Sequence, residues 1–450
     1  MKKLFSLLGI LLLVAVLSGT SFATDTSKVY TDNGYRYTLL EDGTAKIIEY
    51  YGKQTVVSLP EKLNSITVST IGNSAFSDNN SIVKIAIPDG ISIIESNPFS
   101  GCSELNSIYL APDHPTLAII EGTLYSKADK RLIVCPRNTS TYNIPKGVRI
   151  IEDYAFKDCS NISEITIPDS VTFIGDGTFL HCKSLSNITI PDNVTSIGAY
   201  AFSGCSSLTS ITVPDGVTSI EDYAFSGCSS LTSITIPDSV TFIGDGTFLR
   251  CKSLPNITIP NNMNSIGYLA FSGCSSLTSI TIPDSVTSIG DEAFSGCSSL
   301  TSITIPDSVT SIGKKAFSNC SSLTSIAIPE NVISIGNHLF SNCNSLTSIT
   351  IPDTVTSIGD YAFSGCKRLT TVNIPDCVVS IGKYAFSRCS SLSTITVPNN
   401  TNSIGKDAFI DCNQLVLTVE KDSYADRYCF DNQLTYYYVD ASTNYDWLND

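Results

Sequence analysis

Sixteen cysteines are the residues of this 450-residue chain that most invite a chemical reading. Three chemistries suit them: disulfides in an oxidising compartment, metal ligation, or buried thiols behaving as small hydrophobes. Spacing decides among these for most of the set. Cys159 through Cys412 recur with a strict period of 23, each three positions after a Phe, and Cys102 follows Phe99 in the same way. A fixed period puts successive thiols on the same spot of successive turns, with parallel Cα–Cβ vectors about 4.8 Å apart. A disulfide needs converging Cβ atoms about 3.8 Å apart. Zinc needs ligands converging from C-x-x-C or equivalent loops, a spacing the chain lacks. The expectation is a ladder of buried thiols with no metal and no cofactor. Spacing assigns no state to Cys135, Cys377 and Cys429, which lie outside the ladder.

Asp169, Asp192, Asp215, Asp238, Asp284, Asp307, Asp353 and Asp376 each follow a Pro and form an acidic column. Stacked carboxylates could take calcium, but Asn261, Glu330 and Asn399 replace Asp in three coils and no Gly-Asp nonapeptide runs through the chain. The reading preferred is a turn in which Asp accepts backbone N–H groups. Catalysis has little to work with. His114, His181 and His338 fall in different repeats, and there is no Gly-x-Ser-x-Gly, phosphate loop or His-Glu-x-x-His. No enzyme is expected. Twenty-seven basic against 42 acidic residues give −15 and a pI near 4.6, which argues against nucleic acid or an anionic membrane as partner.

These columns need a scaffold that returns to the same place once per period. Phe156 to Phe409 keep one unbroken phase, and Phe76 and Phe99 are also 23 apart. The gap of 57 between Phe99 and Phe156 equals two periods plus eleven, which marks one insertion. Within a unit, Leu208-x-x-Ile211-x-Val213 alternates as a half-buried strand does, and Pro214 ends it because Pro cannot donate to a ladder. Val217-x-x-Ile220 is a second short apolar stretch, and Asp222-Tyr223-Ala224-Phe225 leads through Gly227 to Cys228 as a single helical turn on the outer side. One unit cannot bury its own apolar side and must stack on its neighbours. The spacing therefore predicts a β-rich α/β repeat solenoid, with parallel strands on one face, short helical turns on the other and a cap at each end. Fourteen Phe-bearing coils at about 4.8 Å would span about 65–70 Å. The Phe column is read as core, since each buried ring contributes roughly 1.5–3 kcal/mol relative to exposure.

That leaves the outward strand positions as the candidate ligand face: Ser210 and Thr212, Ser233 and Thr235, Ser279 and Thr281, Ser302 and Thr304, Ser348 and Thr350. Their sameness suits an extended protein or glycan, held by many weak contacts rather than one hot spot. Two other readings stand beside this one. The face could be the plain surface of a structural coat protein without a specific ligand, or its Thr rows could meet ice or another crystal face.

The pattern C-x-x-L-x-x-I-x-I-P-x-x-V-x-x-I-G-x-x-A-F resembles the BspA-like leucine-rich repeat family of bacterial and protist surface proteins. Cys205, Leu208, Ile211, Pro214, Val217, Ile220, Ala224 and Phe225 occupy it, with Val213 in place of Ile and Glu221 in place of Gly. The resemblance covers about residues 60 to 412 and implies a leucine-rich-repeat array in an exported or surface-exposed adhesion protein.

Departures from the period divide the chain. Lys2 and Lys3, the apolar run Leu4 to Leu17 and Ser21-Phe22-Ala23 read as a signal peptide, 1–23, too short to span a bilayer. Its removal would leave 25 basic against 42 acidic residues, or −17, and a secreted or cell-surface protein with no membrane insertion. Residues 24–60 alternate around Asp42-Gly43 as a β-hairpin cap. The array then runs 61–412, with a hairpin insertion at about 103–145. Residues 413–450 read as a strand-helix-strand cap and a polar tail holding Trp447. Residues 169–191 and 238–260 differ only at His181/Arg250 and Ser186/Pro255, so a block of three coils has been copied. Copying extends a scaffold; it does not assemble a catalytic constellation.

Overall fold

Ser210-Ile211-Thr212 sits one period from Ser233-Ile234-Thr235, and these segments are parallel strands paired Ser210↔Ser233, Ile211↔Ile234 and Thr212↔Thr235. This is the rule of the computed structural model, which describes residues 28–135 and 139–439. The proposed signal peptide and the Trp447 tail lie outside the described residues. The same register of 23 links Glu164–Thr166 to Asn187–Thr189 and Ser348–Thr350 to Thr371–Asn373. Ser107–Leu110, Val416–Val419 and Tyr436–Tyr438 add strands without a Phe of their own, so the solenoid reaches about 17 turns rather than fourteen.

The second apolar stretch of each unit forms a second, shorter parallel ladder. Ser196–Ile197, Ser219–Ile220 and Phe242–Ile243 pair in series, as do Ser334–Ile335 through Ser403–Ile404. Pro214 separates the two ladders, and its carbonyl accepts the Val217 N–H at 3.0 Å to close the intervening turn. The segment after the second ladder is a run of i→i+3 turns: Ser203 N–H to Tyr200 O, then Cys205 N–H to Phe202 O, then Leu208 N–H to Cys205 O. The expected helical turn is cut short because the residue two before each repeated Phe except Phe99 takes a left-handed backbone, with φ of 57° at Tyr200, Tyr223 and Tyr361.

Coils approach closely. A Cβ at Gly313 would collide with the Asp291 backbone nitrogen of the preceding coil, so only glycine fits there. Inside, the rings from Phe156 to Phe409 stack in one column, for example Phe202–Phe225 at 5.3 Å and 4° and Phe294–Phe317 at 5.5 Å and 3°. The column is covered at both ends by tyrosines, whose rings pack inward while their hydroxyls tolerate a wet boundary. At its start Tyr142 lies 6.0 Å from Phe156, and the separate Phe76–Phe99 pair is covered by Tyr50 at 5.3 Å from Phe76. Tyr428 meets Phe409 edge-on at 6.3 Å, donates to Gly405 O and accepts the Ala408 N–H.

Strands β1 (Tyr30–Asp32), β2 (Tyr35–Leu39) and β3 (Ala45–Tyr50) form an antiparallel meander, and the last pairs in parallel with Ile66–Ile71 to start the array. At the other end Val416–Val419, helix α1 (Tyr424–Asp431) and Tyr436–Tyr438 follow in order, with the Ser423 hydroxyl accepting the Asp426 N–H to cap the helix. The insertion is a second meander. Leu117–Ile120 turns at Glu121 and Gly122 (φ 48° and 78°) into Thr123–Ser126, which pairs with Arg131–Val134. That last strand joins the short ladder through Leu132↔Ile151. The insertion also splits the interior into two cores, one ending at Val134 and one running from Tyr125 to Cys429.

Arg131 holds this junction. Its guanidinium donates to Ile94 O and Glu95 O on the preceding coil and to the Glu152 carboxylate on the following one. Among the described residues no helix is long and apolar enough to cross a membrane.

Candidate interaction surface

The outward strand positions carry the surface. Ile211 turns into the core while Ser210 and Thr212 face water, and all ten candidate side chains, from Ser210 to Thr350, are exposed. They differ from their neighbours in one chemical respect. Thr232, the residue before Ser233, donates its hydroxyl to Thr209 O at 3.0 Å, and Thr278, Thr324 and Thr347 bond backward to the previous coil in the same way. No such bond engages the hydroxyls of Ser210, Thr212, Ser233, Thr235, Ser279, Thr281, Ser302, Thr304, Ser348 or Thr350 among the described residues. Each keeps one donor and two acceptor lone pairs for a partner. Between Asn187 and Thr396 these outward positions carry no charge. Rows about 4.8 Å apart thus repeat one uncommitted hydroxyl pattern, interrupted only by Asn187, Asn256, Ala327 and Asn373.

The Asp column after Pro borders this face, but the carboxylates do not hold the turn. The turn is closed by backbone alone, as at Val217 N–H to Pro214 O, and Asp215 stands exposed. A different Asp set caps backbone N–H groups. Asp176 Oδ1 accepts the Ala199 N–H at 2.8 Å, Asp222 that of Asp245 at 2.7 Å, and Asp291 that of Lys314 at 2.8 Å. Each reaches one coil forward, and Asn337 does the same for Asp360 at 2.9 Å. The sequence signal is the recurrent Asp or Asn three residues before Phe. Among the described residues no group of three His, Cys, Asp or Glu side chains is arranged to hold a metal ion.

The thiol ladder is internal. Cys205 Sγ donates to Phe179 O and Cys228 Sγ to Phe202 O, both at 3.2 Å, and the pattern continues to Cys412 on Phe386 O at 2.9 Å. Phe202 O also accepts the Cys205 N–H, so both its lone pairs are used. Burial disfavours the thiolate and pushes Cys228, Cys274, Cys320 and Cys366 up to about 12. Cys429 is buried in the C-terminal cap, Cys135 in the inserted segment, and Cys377 is exposed on the Pro-Asp turn. The histidines are scattered. His114 is buried against Pro88 O, His181 Nδ1 lies 3.0 Å from Asp158 Oδ1, and His338 stacks on Tyr361 at 4.6 Å. Burial, then the Lys315 ammonium, pulls His338 below its usual range.

The tyrosines that recur just before Ala-Phe, legible in the sequence as a competing turn-side surface, stack on one another, which the sequence does not tell. Tyr200 and Tyr223 stack at 5.1 Å, and His338, Tyr361 and Tyr384 form a second run. Their rings cover each other's faces and leave mainly edges to solvent.

Parallel ladders joined by short turns, with stacked Phe and buried Leu and Ile at fixed positions, define a leucine-rich-repeat solenoid. The chain belongs to the BspA type of that class: its sequence matches the BspA type leucine rich repeat region in six copies, over residues 55–141, 134–255, 218–327, 242–368 and 310–436. Solved structures agree. A leucine-rich repeat protein from Bacteroides ovatus ATCC 8483 shares 27% identity, covering 91% of this chain and 99% of its own, with a TM-score of 0.55. A leucine rich cell surface protein from Faecalibacterium prausnitzii A2-165 shares 32% identity over 86% of this chain and 96% of its own, with a TM-score of 0.52. Among curated proteins none matches.

Proposed function

We propose that the chain is an exported interaction module that adheres to an extracellular protein or glycan through its strand face. The observation that carries this reading is the row of exposed hydroxyls with no hydrogen-bond partner among the described residues, repeated in strict register along the array. A repeated, uncharged pattern gives many weak, equal contacts, and affinity accumulates through their number. Export is supported by the basic-apolar-small order of residues 1–23 and by the description of the Faecalibacterium relative as a cell surface protein.

The test is retention of soluble host or matrix components on the immobilised array, followed by two triple variants. Changing Thr212, Thr235 and Thr304 to Lys adds three charges to the strand face, and such surface changes usually cost within about 0.5 kcal/mol of stability. Changing Tyr200, Tyr223 and Tyr361 to Lys adds the same charge to the turn side. Loss of the retained component in the first variant alone is the expected result. Loss in the second alone moves the site to the aromatic strip, and retention of nothing by the parent array favours a coat protein without a ligand.

A further inference from the structure

The array is interrupted once, and the interruption opens a cleft on the turn side. Elsewhere backbone bonds stitch each coil to the next there: Tyr200 N–H reaches Asp222 O at 2.9 Å and Phe202 N–H reaches Ala224 O at 2.7 Å. Between the Phe99 and Phe156 coils other groups do this work. Asn97 Nδ2 donates to Tyr154 O at 2.8 Å, and Cys135 N–H, from the inserted segment, takes Ala155 O at 2.9 Å. Cys135 therefore stands where the column would place a Phe, and its side chain fills less of the space. A small, partly open void of about 20 Å³ remains beside Phe99 and Cys135. Above it lies an open cleft of about 380 Å³, whose described lining draws on three coils. That volume is near the lower end of the roughly 300–1,000 Å³ range of small-molecule sites.

Unlike the strand face, this cleft mixes residue types: Asn73, Ser96 and Asp153 stand three before a Phe and Ser74, Asn97 and Tyr154 two before, and no two of the three coils present the same set. Asn73 Oδ1 already accepts from the Ser74 and Ser96 hydroxyls, which leaves its Nδ2 to donate. Asp153 uses one carboxylate oxygen on the Asp176 N–H and keeps the other. Asp78 has no side-chain hydrogen bond among the described residues, and Lys157 lies over the Tyr154 ring at 5.7 Å. Tyr154 itself rests against Gly177, where a Cβ would strike the ring, and it also lines the cleft.

The mixture selects a ligand class. An anion would meet two carboxylates, a compact cation would meet Lys157, and an apolar molecule would leave every one of these groups desolvated and unpaired. A polyhydroxylated ring both donates to carboxylates and accepts from amide and ammonium, while its C–H groups can meet the part of the Tyr154 ring that Lys157 leaves open. We propose that this cleft binds a single neutral sugar residue, independently of whatever occupies the strand face.

The experiment titrates methyl β-glycosides of glucose, galactose and N-acetylglucosamine into the whole chain, read by saturation-transfer NMR and calorimetry. At least one should bind. Tyr154→Gly should weaken it on the order of tenfold or more; glycine already occupies the same left-handed position at Gly177 and Gly246, so the backbone is served. Asp78→Asn, which tolerates its left-handed φ of 57°, should weaken binding several-fold by removing charge-assisted bonds. The Thr212, Thr235 and Thr304 to Lys variant should bind the glycoside as the parent does, which separates this site from the strand face. No binding up to the order of 10 mM, or equal binding by folded Tyr154→Gly and Asp78→Asn proteins, overturns the proposal.

Discussion

Raising the pH from 8 to 10 should destabilise this protein through its thiols, by an amount the structure sets. Cys228, Cys274, Cys320 and Cys366 are buried, and each is pushed from an ordinary value of 9.0 up to about 12. Below pH 9 the thiol is protonated in both folded and unfolded chains, so its contribution is fully present. Between about 9 and 12 the unfolded chain releases a proton that the folded chain retains, and stability falls as pH rises. At pH 10 the loss is on the order of 1 kcal/mol per thiol and several kcal/mol for the four, set against a net stability of about 5–15 kcal/mol in ordinary domains. The assay is urea unfolding followed by circular dichroism at pH 8, 9 and 10 with a reductant present. The control changes all four cysteines to Ala and keeps every tyrosine, so that phenol ionisation cancels. Between pH 8 and 10 the parent should lose several kcal/mol more than the control, the sum of the four thiol contributions. Parallel losses in the two proteins would refute the picture of neutral thiols sealed between coils.

Two further outcomes are expected. Asp291→Ala should cost about 1 kcal/mol in urea unfolding, because the Lys314 N–H loses its acceptor, whereas Asp291→Asn should stay within about 0.5 kcal/mol, since Asn337 performs the same task two coils on. Deleting residues 228–296 should give a shorter, monomeric array by size-exclusion chromatography, whereas deleting 413–450 removes the ring of Tyr428 from the end of the Phe column and should cause aggregation.

Much of this is legible in the sequence because the period is strict. Phe202, Cys205, Leu208, Ile211 and Ile220 recur almost unchanged, and one burial assignment serves every coil. The outward placement of Ser210 and Thr212 follows from alternation alone. What escapes is set by backbone geometry rather than by pattern. Tyr200, Tyr223 and Tyr361 occupy left-handed positions where a reader expects Gly, so the stretch reads as helix and the ring stacking stays hidden. The two Asp sets look alike on paper; which one caps depends on how far the next coil's N–H lies, and it is Asp176, not Asp192, that reaches one. The phase break announces an insertion, but nothing in the residue types around Arg131 or Asn97 tells that they replace missing coil-to-coil bonds.

Near-identity of successive coils has a consequence for how the chain finds its native state. Residues 169–191 and 238–260 present almost the same rings, thiols and hydroxyls to a neighbour. Local affinity therefore does not tell one from the other, and a coil docked a whole block out of place would find nearly native contacts while the surplus chain looped out. Such decoys are deep, because every wrong pairing is chemically right. Only the segments that do not repeat, the β1–β3 meander, the Arg131 junction and the α1 cap, have a single possible mate. Nucleation at one of these edges followed by stepwise addition leaves each incoming coil just one vacant place, so they serve as index marks for the count. Every further copied block multiplies the decoys without adding a mark, and misregistration, rather than the strength of any one coil, becomes the limit on how long such an array can grow.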